Sequence, residues 1–376
     1  MKRFTIDGGD ALEIHLAQTC ERVAAGVAEI IPAGKLEAVV LGGGYGRGEG
    51  GVLKTGSSED PYNDLEFYVF VRGNRLVNER AYRAPLETLS TGLTPVAGVH
   101  VEFKVDSINR LRHSPVSMFT YDLVSGHKVI VGDENIFAGC DKHLDASKIP
   151  LHEATRLLFN RCTGLLFAKN FLYIGMDVEK ADFVGRNLAK AQLALGDVVL
   201  AMHGQYHWSV CERVQRLKDL NVSGLPVPAD ELHRHHLTGA HFKLYPQRIS
   251  KSADAFCNEH DEISSCARKL WLWLETRRLK QPFVNVRDYS MSPVNKCPET
   301  SSLKNLLINL RIFGPKVISF RYPRERLLQA LPLMLWKADA LGERRFLFFL
   351  QSELRTEATA QPELVTAYEK IWRRFN

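Results

Sequence analysis

The sequence predicts an α+β protein in two parts, a small mixed-sheet domain over residues 1–150 and a larger all-α domain over residues 151–376. Three observations lead there. Short apolar runs of strand character occur at residues 36–41, 64–71 and 99–105, all early in the chain. From residue 152 onward, nine segments with apolar residues at helical spacing follow one another. The charge balance reverses at the same point: residues 1–150 hold 16 Lys and Arg against 20 Asp and Glu, and residues 151–376 hold 33 against 23. With 376 residues, 45% hydrophobic and 24% charged, the composition is that of a globular protein, long enough for two cores.

Asp10 is the expected N-cap of a helix running to about Ile31, because Leu12, Leu16, Val23, Val27 and Ile30 recur on one face. Pro32, Ala33 and Gly34 stop it, and Leu36–Leu41 reads as a buried strand. A run rich in glycine follows, from Gly42 to Gly51, and then a polar stretch from Thr55 to Asn63. Asp64–Val71 is the second expected strand and Val99–Val105 the third, with a crossover of about 25 residues between them. The helical segments expected beyond the boundary are 152–175, 179–204, 209–219, 229–246, 252–279, 302–313, 323–340, 343–354 and 362–374. Strand character interrupts them only at Pro282–Val286 and Lys316–Phe320.

Seven scattered cysteines with no C-x-x-C pair fit reduced thiols, not a disulfide framework or a zinc site. Met1–Asp10 has no apolar core of a signal peptide. The richest apolar stretch, Leu327–Trp336, is interrupted by Gln329 and Pro332 and is shorter than the ~20 residues that span a bilayer. A cytoplasmic protein with no membrane partner is expected.

Alternate residues of a strand share a face. Asp64 and Glu66 therefore point the same way, with Tyr68 and Phe70, while Leu65, Phe67, Val69 and Val71 point the other. In the third strand His100, Glu102, Lys104 and Asp106 share a face. If the two strands are neighbours, Glu102 stands beside Asp64 and Glu66. Three adjacent carboxylates repel one another unless a cation compensates them, and hard oxygen ligands select Mg²⁺ or Mn²⁺ over Zn²⁺.

The glycine run adds a second signal, since glycines after a strand let backbone amides approach a phosphate. Gly46, Gly48 and Gly51 spell a formal G-x-G-x-x-G, but the acidic residue begins the next strand instead of ending it, and no apolar helix pattern follows Gly51. A P-loop is excluded because no G-K-[ST] closes the run. A strand, a Gly43-Gly44 loop, D-x-E at Asp64 and Glu66, and a lone acid in a third strand together resemble the nucleotidyltransferase superfamily of DNA polymerase beta. The run Tyr121-Asp122-Leu123 through Val129–Asp133 is similar to the segment downstream of the catalytic domain in antibiotic-type members. Residues 157–166 and 187–200 are similar to the helical domains fused to such enzymes. Two positions depart from the family: Gly44 replaces a common serine, and Glu66 replaces the commoner Asp.

That resemblance implies a nucleotidyltransferase domain followed by a helical acceptor-binding domain, moving a nucleoside monophosphate from an NTP, with ATP the expected donor, to a hydroxyl of a small-molecule acceptor. Asp64 and Glu66 would hold Mg²⁺ or Mn²⁺ on the nucleotide. Glu102 would share a second ion or take the acceptor proton. Gly43, Gly44 and Arg47 would cradle the phosphates, with Lys190 contributing from the helical domain. Two alternatives stay open: transfer to RNA or protein, and a catalytically degenerate module that only binds nucleotide.

His233, His235, His236 and His241 also stand out, but His residues at i and i+2 do not face one way on a helix, and no cysteine pair is near. They are read as packing. Trp271 and Trp273 beside Arg277, Arg278 and Lys280 mix aromatics with charge, and the spacing of Leu270, Trp273 and Leu274 assigns the aromatics to a core.

Overall fold

The computed structural model describes residues 3–56, 58–249, 251–314, 318–337 and 342–375. The chain is α+β, with its main sheet early and helices thereafter. It forms two compact units. The first is larger than residues 1–150: it comprises Met1–Pro150, His203–Asp219 and Ala240–Gln247. The second comprises Leu151–Met202, Leu220–Gly239 and Arg248–Asn376.

In the first unit, α1 (Asp10–Ile30) begins one residue earlier than the expected cap implies, with Gly9 at the N-cap and Asp10 in the first turn. Its Leu12, Leu16, Val23 and Val27 are buried as the spacing requires. Next come β1 (Leu36–Leu41), α2 (Gly43–Arg47), β2 (Val52–Thr55), β3 (Ser58–Pro61) and β4 (Leu65–Val71). The crossover is a single helix, α3 (Arg75–Ala97), started by the Asn74 side chain accepting from the Leu76 and Val77 amides. Gly98, in left-handed conformation at φ 73°, ends it. After it lie β5 (Val101–Asp106), α4 (Ile108–His113), α5 (Met118–Ser125), β6 (Lys128–Gly132) and two short 3-10 turns, Asp141–Leu144 and Ala146–Lys148.

The sheet order is β5-β4-β1-β6. The helical crossover makes β4 and β5 parallel, whereas β1 is antiparallel to both its neighbours. On one face Val39, Leu41, Phe67, Val69 and Val101 pack in one cluster with the apolar stripe of α1 and with Leu86 of α3. The opposite face buries Ala38, Val40, Tyr68 and Phe70 with Ile108, Leu111 and Leu123.

Sequence patterning predicts three strands; the sheet has four, and β2 and β3 form a separate hairpin. The hairpin is polar, its Lys54 pairing with Asp7 and Glu59, so it shows no apolar pattern of a core strand. β6 is short, with Val129, Ile130 and Val131 between Lys128 and Gly132, and these three residues pack on both faces of the sheet.

The second unit contains α6 (Leu151–Ile174) and α7 (Val178–Met202); α8 (Val210–Asp219) belongs to the first unit. Next is α9 (Ala229–Leu244), which passes from the second unit to the first after Gly239. The remaining helices are α10 (Ala253–Leu279), α11 (Val286–Met291), α12 (Ser302–Phe313), α13 (Pro323–Trp336), α14 (Arg344–Leu354) and α15 (Gln361–Phe375). Each of the nine periodic segments contains a helix. Pro282–Asn285 is irregular and Val286 opens α11, so the strand expected there does not form. Of the other expected strand, Ile318–Phe320 has no regular structure, and Lys316 and Val317 lie outside the described residues.

Helices α6, α7 and α10 form the packed centre of this unit; Trp271 is fully buried, whereas Trp273, which the spacing placed on the core face, is half-buried. All seven cysteines are free thiols. Among the described residues, no helix is long and apolar enough to cross a membrane.

Candidate active site

Glu66 is the second residue of β4 and Glu102 the second of β5, and the parallel register sets them directly opposite one another. Strand alternation turns both toward the face that carries Tyr68 and Lys104. The Lys104 ammonium lies 3.0 Å from Glu102 Oε2 and 3.6 Å from Glu66 Oε1. The Tyr68 hydroxyl donates to Glu66 Oε2 at 3.2 Å. Burial, and then the Glu66 charge beside it, push the Tyr68 phenol well above its usual range, so it stays a proton donor to that carboxylate. The side chains of Glu66 and Glu102 are 34% and 41% exposed, open enough for a ligand to reach. Asp64 is exposed, one residue ahead of β4.

The glycine run turns back onto these acids. The Gly42 amide donates to the Glu66 carbonyl at 2.9 Å, tying the end of β1 to β4. Gly43 has φ 62°, and a Cβ there would sit 3.4 Å from Glu66 Oε2, so its backbone lies against the carboxylate. At Gly44 a Cβ would sit 3.0 Å from the Glu49 carbonyl oxygen, a tight approach to backbone.

Several residues that sequence reasoning missed hold this loop in place. The buried Tyr45 hydroxyl donates to the Gly51 carbonyl at 2.7 Å and accepts from the Tyr62 amide at 2.9 Å, pinning the loop two residues before Asp64. Burial pushes its phenol up to about 12. Glu49, also buried, accepts from the Val210 amide at 2.8 Å and from Ser209 Oγ, both at the start of α8. An acid at a helix start is favourable, but nothing in the sequence links positions 160 residues apart.

The Arg47 side chain is 7% exposed, with Nη1 3.0 Å from Asp122 Oδ2 and Nε buried without a hydrogen-bond partner. Asp122 also accepts from the Tyr206 hydroxyl at 3.2 Å, which in turn accepts from Arg213 Nη1 at 3.0 Å. Arg47 thus belongs to a buried polar chain beneath the loop. Lys190 is exposed on α7, in the second unit.

The donor chemistry of Asp64, Glu66 and Glu102, oxygen only and solvent-accessible, fits a hard divalent ion. The three are not gathered into a ready cage. Among the described residues, the group that brings three such ligand atoms within 4.8 Å of one another is Glu231, His235 and Cys266. A comparison with protein-family models finds no match, and one with curated proteins finds none either.

Proposed function

We propose that the chain is a metal-dependent nucleotidyltransferase that moves a nucleoside monophosphate, AMP foremost, from an NTP to a hydroxyl of a small molecule. The observation that supports this most is the in-register pair Glu66 and Glu102, on parallel strands, with the Gly43 backbone against Glu66. Asp64 and Glu66 would hold Mg²⁺ or Mn²⁺, with Glu102 beside them as the base. When bound, the ion neutralises the triphosphate and favours in-line displacement. The amides of Gly43 and Gly44 would face the phosphates. The acceptor oxygen forms a bond to the α-phosphorus, the bond to pyrophosphate breaks, and Glu102 takes the acceptor proton. Arg47 and Tyr45 act by positioning the loop.

The test is incubation with Mg²⁺, each labelled NTP and a panel of small-molecule and RNA acceptors. Pyrophosphate release with a nucleotide adduct is expected. Asp64→Asn combined with Glu66→Gln should lower turnover by about 100-fold or more. Unchanged turnover in that variant would overturn the site.

One observation favours a second reading. Lys104 already compensates both glutamates, as a non-catalytic nucleotide-binding module would allow. Metal-dependent NTP binding without pyrophosphate release, with any acceptor, identifies that case.

A further inference from the structure

Two pairs of potential ligands sit at helical i, i+4 spacing in the second unit: Glu231 and His235 on α9, and Glu262 and Cys266 on α10. That spacing puts each pair on one face of its helix. The faces meet, because Cys266 Sγ donates to Glu231 Oε1 at 2.8 Å. One ligand atom each from Glu231, His235 and Cys266 lies within 4.8 Å of the other two.

His235 supplies an independent sign. It is 1% exposed, and its Nε2 is buried with no hydrogen-bond partner. The Glu262 carboxylate, 3.6 Å from Nε2, is beyond hydrogen-bond reach. A buried ring nitrogen left unpaired is destabilising, and a bound cation would relieve it. The Gln192 side-chain amide is 3.4 Å from Nδ1. Turned to present its oxygen, that amide keeps the ring proton on Nδ1 and leaves the Nε2 lone pair for a metal. His236, the next residue, points elsewhere, 3.0 Å from Asp197 Oδ1.

We propose that Glu231, His235 and Cys266 form a zinc site that staples α9 to α10, with Glu262 or water in the fourth position. A thiolate, an imidazole and a carboxylate make a borderline-soft donor set suited to tetrahedral Zn²⁺, unlike the oxygen-only acids of the sheet. The site is reachable, since Glu231 is half-buried and Glu262 exposed. The Cys266 thiol carries its proton toward Glu231: on binding, the S–H bond breaks, an S–Zn bond forms, and the proton passes to solvent.

The full chain, stripped with EDTA and titrated with Zn²⁺ or Co²⁺, tests this. One metal per chain is expected, with thiolate-to-cobalt charge-transfer absorption and a binding heat that varies with buffer ionisation. Cys266→Ser should abolish the absorption, whereas Cys211→Ser and Cys257→Ser, which remove the exposed thiols, should leave it unchanged. Glu231→Gln keeps the thiol and guards against a folding defect in Cys266→Ser; it should weaken cobalt affinity by about 10-fold or more. No charge-transfer absorption in the parent chain, the same absorption in Cys266→Ser, or unaltered affinity in Glu231→Gln would overturn the site.

Discussion

Glu66 and Glu102 face one another residue for residue across β4 and β5, and the Lys104 ammonium lies 3.6 Å from one carboxylate and 3.0 Å from the other. Like charges directly opposite in a sheet are destabilising, so the lysine has a structural role that a divalent ion would take over.

Lys104→Met should therefore lower stability in metal-free buffer by about 0.5–1 kcal/mol, a small figure because the groups are half-exposed. Millimolar Mg²⁺ should restore the loss, and more fully than it stabilises the parent chain. Thermal melts of both proteins with and without Mg²⁺ measure it. An equal Mg²⁺ response in the two would show that lysine and ion do not compete.

Tyr45→Phe removes a hydroxyl that serves two backbone groups, the Gly51 carbonyl and the Tyr62 amide. Leaving those groups unpaired costs about 1–3 kcal/mol, read as a lower urea midpoint. Because the loop precedes Asp64, nucleotide affinity should weaken as well.

Arg47→Met strands the Asp122 carboxylate. The expected cost is about 3 kcal/mol, toward the low end for a broken buried pair because Asp122 keeps the Tyr206 hydroxyl. Arg47→Met with Asp122→Asn should recover part of that loss in denaturant unfolding. If Arg47 positions the loop and does not touch phosphate, the double variant keeps its NTP affinity. A large loss of affinity with stability restored would return Arg47 to the phosphates.

Lys296 carries a pH signature. It is 1% exposed, its ammonium donates to the Ser292 carbonyl at 3.0 Å, and burial lowers its pKa to about 8 from the usual 10.5. Below pH 8 both folded and unfolded chains hold the proton, and the folded state bears the full cost of a buried charge. Between pH 8 and 10.5 the unfolded chain binds more protons than the folded one, so this residue's contribution to stability rises with pH. Relative to Lys296→Met, the parent chain should gain up to about 3 kcal/mol across that window. Parallel denaturant curves at about pH 7.5 and about pH 10 check the sign; a constant difference would show that the group does not titrate there.

Much of the frame was legible because local periodicity and burial agree. The stripe of α1, the apolar runs of β1 and β4, and the helices of the nine periodic segments all follow from which residues must leave water. The carboxylate faces were legible too, since alternation alone puts Glu66 and Glu102 on definable sides of their strands. The β2–β3 hairpin was not, because a polar strand carries no such pattern; β6 carries only the short apolar run of Val129, Ile130 and Val131. Nor were the chain's two returns to the first unit, at His203–Asp219 and Ala240–Gln247, where helical spacing says nothing about which core a helix joins.

By itself the sequence determined the α+β class, the order of most elements and the candidate acids, all properties of residues near one another along the chain. Only the tertiary structure decided what those residues meet. It set Arg47 against Asp122, placed Lys104 on both glutamates, and brought Cys266 to Glu231 and His235 from 31 residues away and more. The physical reason is that a charged or ligating side chain binds whatever complementary group packing delivers, and packing joins positions that no local pattern relates.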